Sequence, residues 1–75
     1  MTKADKKEQR TRKNSANVSL EDFEALIKRH GDIIEGGSHP KAHIGNHYFP
    51  YKRENPINRH YVEAILGFID EMAGD

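Results

Sequence analysis

The stretch from residue 32 to residue 55 constrains the fold most, because its glycines and prolines exclude a long helix there. Within it, the runs "AHI" and "HYFPY" flank Gly45-Asn46, a dipeptide suited to the two-residue turn of a β-hairpin. The run "DIIE" ahead of them is a third short β-type segment. The sequence therefore predicts three short strands in the middle of the chain.

An apolar stripe at helical spacing lies on each side of this stretch. On the first side, Ser19 is a good N-cap, and Gly31 is placed to end the helix in a left-handed conformation. On the second side, Asn55 or Asn58 can cap the helix, and Pro56 belongs at or before its first turn. The apolar positions are Leu20, Phe23, Leu26 and Ile27 in the first stripe, and Ile57, Tyr61, Ala64, Ile65, Phe68 and Met72 in the second.

The resulting order is α-β-β-β-α, which predicts a small α+β domain over residues 18–75. Its three-stranded antiparallel sheet is expected to carry both helices on one face. Residues 1–17 hold little to bury, and they carry six basic side chains against two acidic ones, so a disordered basic tail is predicted. This tail could hold phosphates or simply keep the protein in solution. Residues 18–75 carry ten acidic against six basic side chains.

Three features that the sequence lacks bear on the cellular compartment that we expect for the protein. It has no cysteine, no apolar run of the roughly 20 residues that a membrane span needs, and no apolar segment typical of a secretory signal. We therefore expect a cytoplasmic protein without a membrane partner.

The Gly45-Asn46 turn determines which side chains share a face of the sheet, because successive side chains of a strand alternate between faces. With Ile44 opposite His47, one set is mostly apolar and is predicted to meet the helices. The other set is polar and basic, and is predicted to form the open face. The inward set is Pro40, Ala42, Ile44, His47, Phe49 and Tyr51, and the outward set is His39, Lys41, His43, Tyr48, Pro50 and Lys52.

Three histidines, His39, His43 and His47, recur at intervals of four and raise the question of a metal site. In the predicted hairpin the turn separates His47 from the other two, and no nearby Cys, Asp or Glu supplies a fourth ligand. We therefore predict no metal. Lysines, an aromatic ring and imidazoles on one open face are the composition of an RNA-binding surface, although such a face is more often only solvated.

The residues from Leu20 to Ile69 resemble the HicA toxin family of bacterial toxin–antitoxin systems. The likeness rests on a helix ending in Gly31, the step Gly37-Ser38-His39, the step Phe49-Pro50 and the segment "NPINRHYVEAIL". The sequence departs from the family pattern at Pro40, where many relatives have a second histidine.

This resemblance implies a fold like a double-stranded RNA-binding domain and an endoribonuclease that cleaves mRNA without a metal or cofactor. It implies that His39 is the catalytic histidine and that a HicB-like antitoxin protein covers the same surface. The residues expected to contact RNA are Ser38, Lys41, His43, Tyr48 and Lys52. Two alternatives stay open at this point: a non-catalytic RNA-binding module, and a domain whose exposed sheet serves only a protein partner.

Overall fold

A computed structural model describes residues 3–74 of the chain, which form three helices and one antiparallel sheet. The elements follow in the order α1, a turn of 3-10 helix, α2, β1, β2, β3 and α3. Their bounds are Lys3–Lys13, Ser15–Asn17, Leu20–His30, Asp32–Ile34, Lys41–Ile44, His47–Pro50 and Arg59–Ala73. After α1, the predicted α-β-β-β-α order and the α+β class are confirmed.

The predicted N-caps of α2 and α3 and the predicted C-terminal glycine of α2 are found, although the glycine has a different conformation from the one predicted. The Ser19 side chain accepts a hydrogen bond from the backbone N–H of Asp22, and the Asn58 side chain accepts one from that of His60. Gly31 ends α2, but its φ of −168° is extended rather than left-handed. The reason for glycine there is a close approach: a Cβ at Gly31 would lie 1.9 Å from the backbone oxygen of His43.

The sheet has the order β1-β2-β3, and its hairpin has the predicted register. Ile44 pairs with His47, and His43 pairs with Tyr48. Gly45 takes a φ of 58°, and no residue other than glycine has a positive φ among residues 3–74. A positive φ at the first turn residue alone fits a type II′ turn, the kind that suits the twist of the two strands.

The core lies between the sheet and the pair α2 and α3, as the sequence predicts. The inward hairpin residues Pro40, Ala42, Ile44 and Tyr51 are buried, and His47 and Phe49 are half-buried. The helices and the flanking segments complete one apolar cluster with Val18, Phe23, Leu26, Ile27, Ile57, Val62, Ile65 and Ile69. The opposite face of the sheet carries no helix from this cluster and is open.

Helix α1, Lys3–Lys13, lies within the segment 1–17 for which a disordered tail is predicted, and it packs on the domain. Its apolar content is as low as the sequence indicates, and its contacts with α2 and α3 include several between polar and charged side chains. Glu8 lies 2.5 Å from His30 of α2, and Arg12 binds Asp70 of α3 through two hydrogen bonds of 2.8 and 3.1 Å. The part of the prediction that covers residues 1 and 2 lies outside the described residues, as does Asp75 of the predicted domain.

None of the helices described between residues 3 and 74 has the length and apolarity that crossing a bilayer requires.

Candidate functional site on the open face of the sheet

The open face is built in rows, because the register places one residue of each strand side by side. Asp32, His43 and Tyr48 form the row nearest the hairpin turn. The next outward-facing row, about 7 Å along the strands, is Ile34, Lys41 and Pro50. The β1 residues of these rows were not among the predicted site residues, because the sequence alone does not give the register of a strand that is joined by a long loop.

The pair His43 and Tyr48 makes a flat aromatic surface at the turn end. Their rings are stacked, with centroids 4.4 Å apart and planes 5° apart, and the Tyr48 side chain is 60% exposed. Such a surface can stack a nucleobase, since every base has a π-face. The exposed carboxylate of Asp32, directly across from His43, repels phosphate at this end. The row is therefore suited to bases rather than to the RNA backbone.

His39 lies at the other end of the open face, in the loop that joins β1 to β2. The loop begins at Glu35 and continues with two glycines at positive φ, 138° at Gly36 and 68° at Gly37, and its residues up to His39 are exposed. Pro40 is buried, and its carbonyl oxygen accepts a hydrogen bond of 3.1 Å from the backbone N–H of Tyr51. His39 thus projects from the surface directly beside an anchored residue.

The predicted phosphate-contacting lysines flank His39 on either side. A depression of about 490 Å³ contains Ser38, His39 and Lys41, and an adjoining one contains Ser38, His39 and Lys52. The larger depression falls within the range of about 300–1,000 Å³ that is common for ligand clefts. Neither lysine forms an ion pair with any residue between 3 and 74. Two lysines outside any of these ion pairs and an imidazole therefore line this end, together with Glu35, whose charge Arg53 balances.

A network of side chains that the sequence analysis missed holds the start of the His39 loop. Arg53 donates two hydrogen bonds, of 2.6 and 3.0 Å, to the carboxylate of Glu35, the residue before Gly36. Its Nε donates a third, of 2.8 Å, to Glu24 of α2, which also accepts a 2.5 Å hydrogen bond from the hydroxyl of Tyr51. No sequence spacing signals this contact, since the partners come from three separate segments: α2, the loop after β1 and the segment after β3.

The contacts of this network shift the pKa values of Glu35, Arg53 and Tyr51. Each shift favours the protonation state that forms the hydrogen bonds of the network. The hydrogen bonds from Arg53 hold the pKa of Glu35 below its usual range. The two carboxylates, Glu35 first and then Glu24, raise the pKa of Arg53. Burial, followed by the hydrogen bond to Glu24, raises the pKa of the Tyr51 phenol. Glu35 and Arg53 are thus a charged pair at neutral pH, which is the state that anchors the loop.

The remaining histidines have structural roles or lie elsewhere. His47 is on the helix side, as predicted: its ring stacks on Phe68 at 4.2 Å, and its Nε2 lies 3.1 Å from a carboxylate oxygen of Glu71. His30 is the last residue of α2, and His60 is exposed in the first turn of α3. Among residues 3–74, no group of three or more His, Cys, Asp or Glu side chains is placed to hold a metal ion.

The chain matches no protein-family model, no curated protein and no solved structure. The chemistry of the open face is therefore the basis for assigning a function.

Proposed function

We propose that this chain is a HicA-like toxin, a cytoplasmic endoribonuclease that binds mRNA on the open face of its sheet and cleaves it with His39. The observation that carries the proposal is the position of His39 between Lys41 and Lys52. The resemblance at Gly37-Ser38-His39 supports it independently.

The reaction that fits this site is attack of a ribose 2′-oxygen on the adjacent phosphorus. The His39 imidazole accepts the proton of the 2′-hydroxyl while the bond from O2′ to phosphorus forms. The bond from phosphorus to the 5′-oxygen then breaks, and the leaving 5′-oxygen takes a proton from the imidazolium. Lys41 and Lys52 stabilise the negative charge that develops on the phosphoryl oxygens. The products are a 2′,3′-cyclic phosphate and a 5′-hydroxyl, and no step needs a metal or cofactor.

The two ends of the face have complementary tasks in this proposal. The lysine end holds the scissile phosphate, with Ser38 available as a hydrogen-bond donor, and the pair His43 and Tyr48 stacks a base of the same strand. Stacking of this kind needs an unpaired base. The substrate is accordingly the single-stranded part of an mRNA.

The test compares the wild type with His39→Ala on an end-labelled single-stranded RNA, with His60→Ala as the matched control. His60 is exposed on α3 and lies outside the proposed site. General acid–base catalysis typically contributes about 10²–10⁴-fold, so we expect His39→Ala to lose cleavage by that factor and to abolish growth inhibition, at unchanged Tm. Cleavage by His39→Ala at the rate of His60→Ala would refute the assignment.

A second candidate is a face that serves only a protein partner, and one observation favours it. Ile34 of β1 is 41% exposed on the same face as the exposed Tyr48 and Pro50 of β3, so the face has apolar as well as basic character. In the first proposal this character suits a HicB-like antitoxin that covers the RNA site. If the partner were the sole ligand, neither the wild type nor His39→Ala would bind or cleave RNA, while the partner would still raise the Tm.

A further inference from the structure

Helix α1 separates its charges between two sides. Its two acidic residues, Asp5 and Glu8, both face the domain, where they pair with Arg29 and His30 of α2. Its outer side instead carries the α1 basic stripe, which we define as Lys6, Arg10 and Lys13. These positions follow the spacing i, i+4, i+7 and so lie along one line of the helix surface.

The α1 basic stripe lies outside the ion pairs described for residues 3–74. All three side chains are exposed, and none forms an ion pair with a residue between 3 and 74. The neighbours within the stripe carry like charges one turn apart, an arrangement that destabilises a helix. A ligand with several negative charges relieves this repulsion.

The inward basic residues of α1 have a different task. Lys7 pairs with Asp22 at 3.6 Å, and Arg12 with Asp70 at 2.8 Å, so docking of α1 neutralises two acidic groups of the domain. These contacts are with α2 and α3, the two helices that cover the inner face of the sheet. The helix layer therefore lies between the stripe and the open face of the sheet, and the two basic surfaces are separate.

We propose that the α1 basic stripe is a second RNA-binding surface, which holds the phosphate backbone of a strand whose other part lies on the sheet. That the negatively charged ligand of the stripe is RNA rests on the proposed function. The separation of charges between the two sides of α1 is observed independently of that function. A membrane surface fits the stripe less well, because interfacial helices insert large apolar side chains, and the exposed side of α1 has none. Backbone contacts need only positive charge and give no sequence preference.

The proposal predicts a dependence on the length of the RNA. A short oligonucleotide that covers only the sheet does not reach the stripe, because the domain lies between them. A strand long enough to pass round the domain, which measures 36 × 30 × 20 Å, reaches both surfaces. Loss of the stripe should then weaken binding of the long strand and leave binding of the short one unchanged.

The experiment measures affinity for a long and a short single-stranded RNA over a series of salt concentrations, in a His39→Ala background so that the RNA stays intact. The stripe variant is Lys6→Gln with Arg10→Gln. The matched control is Lys28→Gln with Arg59→Gln, which removes one exposed lysine and one exposed arginine elsewhere, the arginine being paired with Glu63 on the same helix. Far-UV circular dichroism of both variants checks that the helices persist.

With the long RNA, log affinity falls as log salt rises, and we expect this slope to be less steep by about 1.4 in the stripe variant, since each of the two lost phosphate contacts to a single strand contributes about 0.7. The control should keep the slope of the parent. Equal losses in the two variants, or no loss in the stripe variant, would overturn the proposal. Binding to phosphatidylserine vesicles is measured as well. If the parent binds the vesicles, the stripe variant does not, and the two bind RNA equally, the stripe is a membrane-binding surface and the proposal is overturned.

The two proposals fail separately in this design. Cleavage by His39→Ala refutes the catalytic role, and the slope is then measured with a 2′-O-methyl strand of the same sequence, which has no 2′-hydroxyl and is not cleaved by this route. A slope that does not respond to the stripe refutes the second surface and leaves the cleavage result unaffected.

Discussion

Removal of the Tyr51 hydroxyl isolates one hydrogen bond of the network behind the His39 loop. Tyr51 is only 1% exposed, and its ring makes an edge contact with Phe23 at a centroid distance of 5.0 Å. Its hydroxyl donates a 2.5 Å hydrogen bond to a carboxylate oxygen of Glu24. Tyr51→Phe keeps the packing of the ring and deletes only this bond.

The expected loss follows from the partners that remain. A hydrogen bond to a charged group contributes about 1.5–3 kcal/mol to the free energy of unfolding. Glu24 keeps its 2.8 Å hydrogen bond from Arg53, so the carboxylate is not left without a partner and the lower end applies. A loss of about 1.5 kcal/mol in a domain of this size lowers Tm by about 6–12 °C.

Urea and thermal unfolding followed by circular dichroism measure this loss, with Tyr48→Phe as the matched control. Tyr48 is exposed, so its variant should stay within about 0.5 kcal/mol of the wild type. A double-mutant cycle with Glu24→Ala, which removes the acceptor, should give a coupling free energy of about the same magnitude as the Tyr51→Phe loss. Equal stabilities of the two Phe variants, or a coupling near zero, would refute the reasoning.

The difference in stability between the wild type and Tyr51→Phe should depend on pH, and the pKa of Tyr51 gives the direction of this dependence. Burial and Glu24 raise the pKa of Tyr51 in the folded state above the unfolded value of about 10. The contribution of Tyr51 is then fully present below about pH 10 and is lost as the pH rises through the folded-state pKa. The stability advantage of the wild type over Tyr51→Phe should therefore be constant up to about pH 10 and decrease above it.

Two further predictions concern glycines and the loop anchor. Gly31→Ala should destabilise by about 1–3 kcal/mol, because its Cβ meets a backbone oxygen and the chain must shift, whereas Gly67→Ala, with nothing within 4 Å, should stabilise by about 0.5–1 kcal/mol. Thermal unfolding of the two variants should move Tm in opposite directions, and a shared direction would contradict this account. For the anchor, NMR titration of the Glu35 carboxyl should give a lower midpoint in the wild type than in Arg53→Gln. The pair stabilises the domain above the usual glutamate pKa of about 4.3, and this contribution is lost as the pH falls through the lower folded-state value. Identical midpoints would show that the pair does not form in solution.

Local patterns were enough to predict most of the sheet and its two packed helices. The turn at Gly45 sets the hairpin register, and the register sets which side chains face the helices, so His43 and Tyr48 could be placed on the open face in advance. The caps at Ser19 and Asn58 depend only on residues within one turn, and both were found where the sequence indicates.

Contacts between distant segments could not be predicted in this way. The conformation of Gly31 depends on the approach of β2, and the anchor of the His39 loop depends on Arg53, which comes 18 residues after Glu35. Neither partner carries a local signal of the other. The row formed by Asp32 likewise needed the pairing of β1 with β2.

The N-terminal segment shows most clearly how the two sources of information divide. Its sequence alone determines that it is basic and has almost nothing apolar to bury, and these properties by themselves favour disorder. Only the tertiary structure decides that Lys3–Lys13 docks as a helix, because the acidic and basic groups that hold it lie on α2 and α3. The physical reason is that ion pairing depends on distance in space, whereas hydrophobic periodicity and capping depend on distance along the chain.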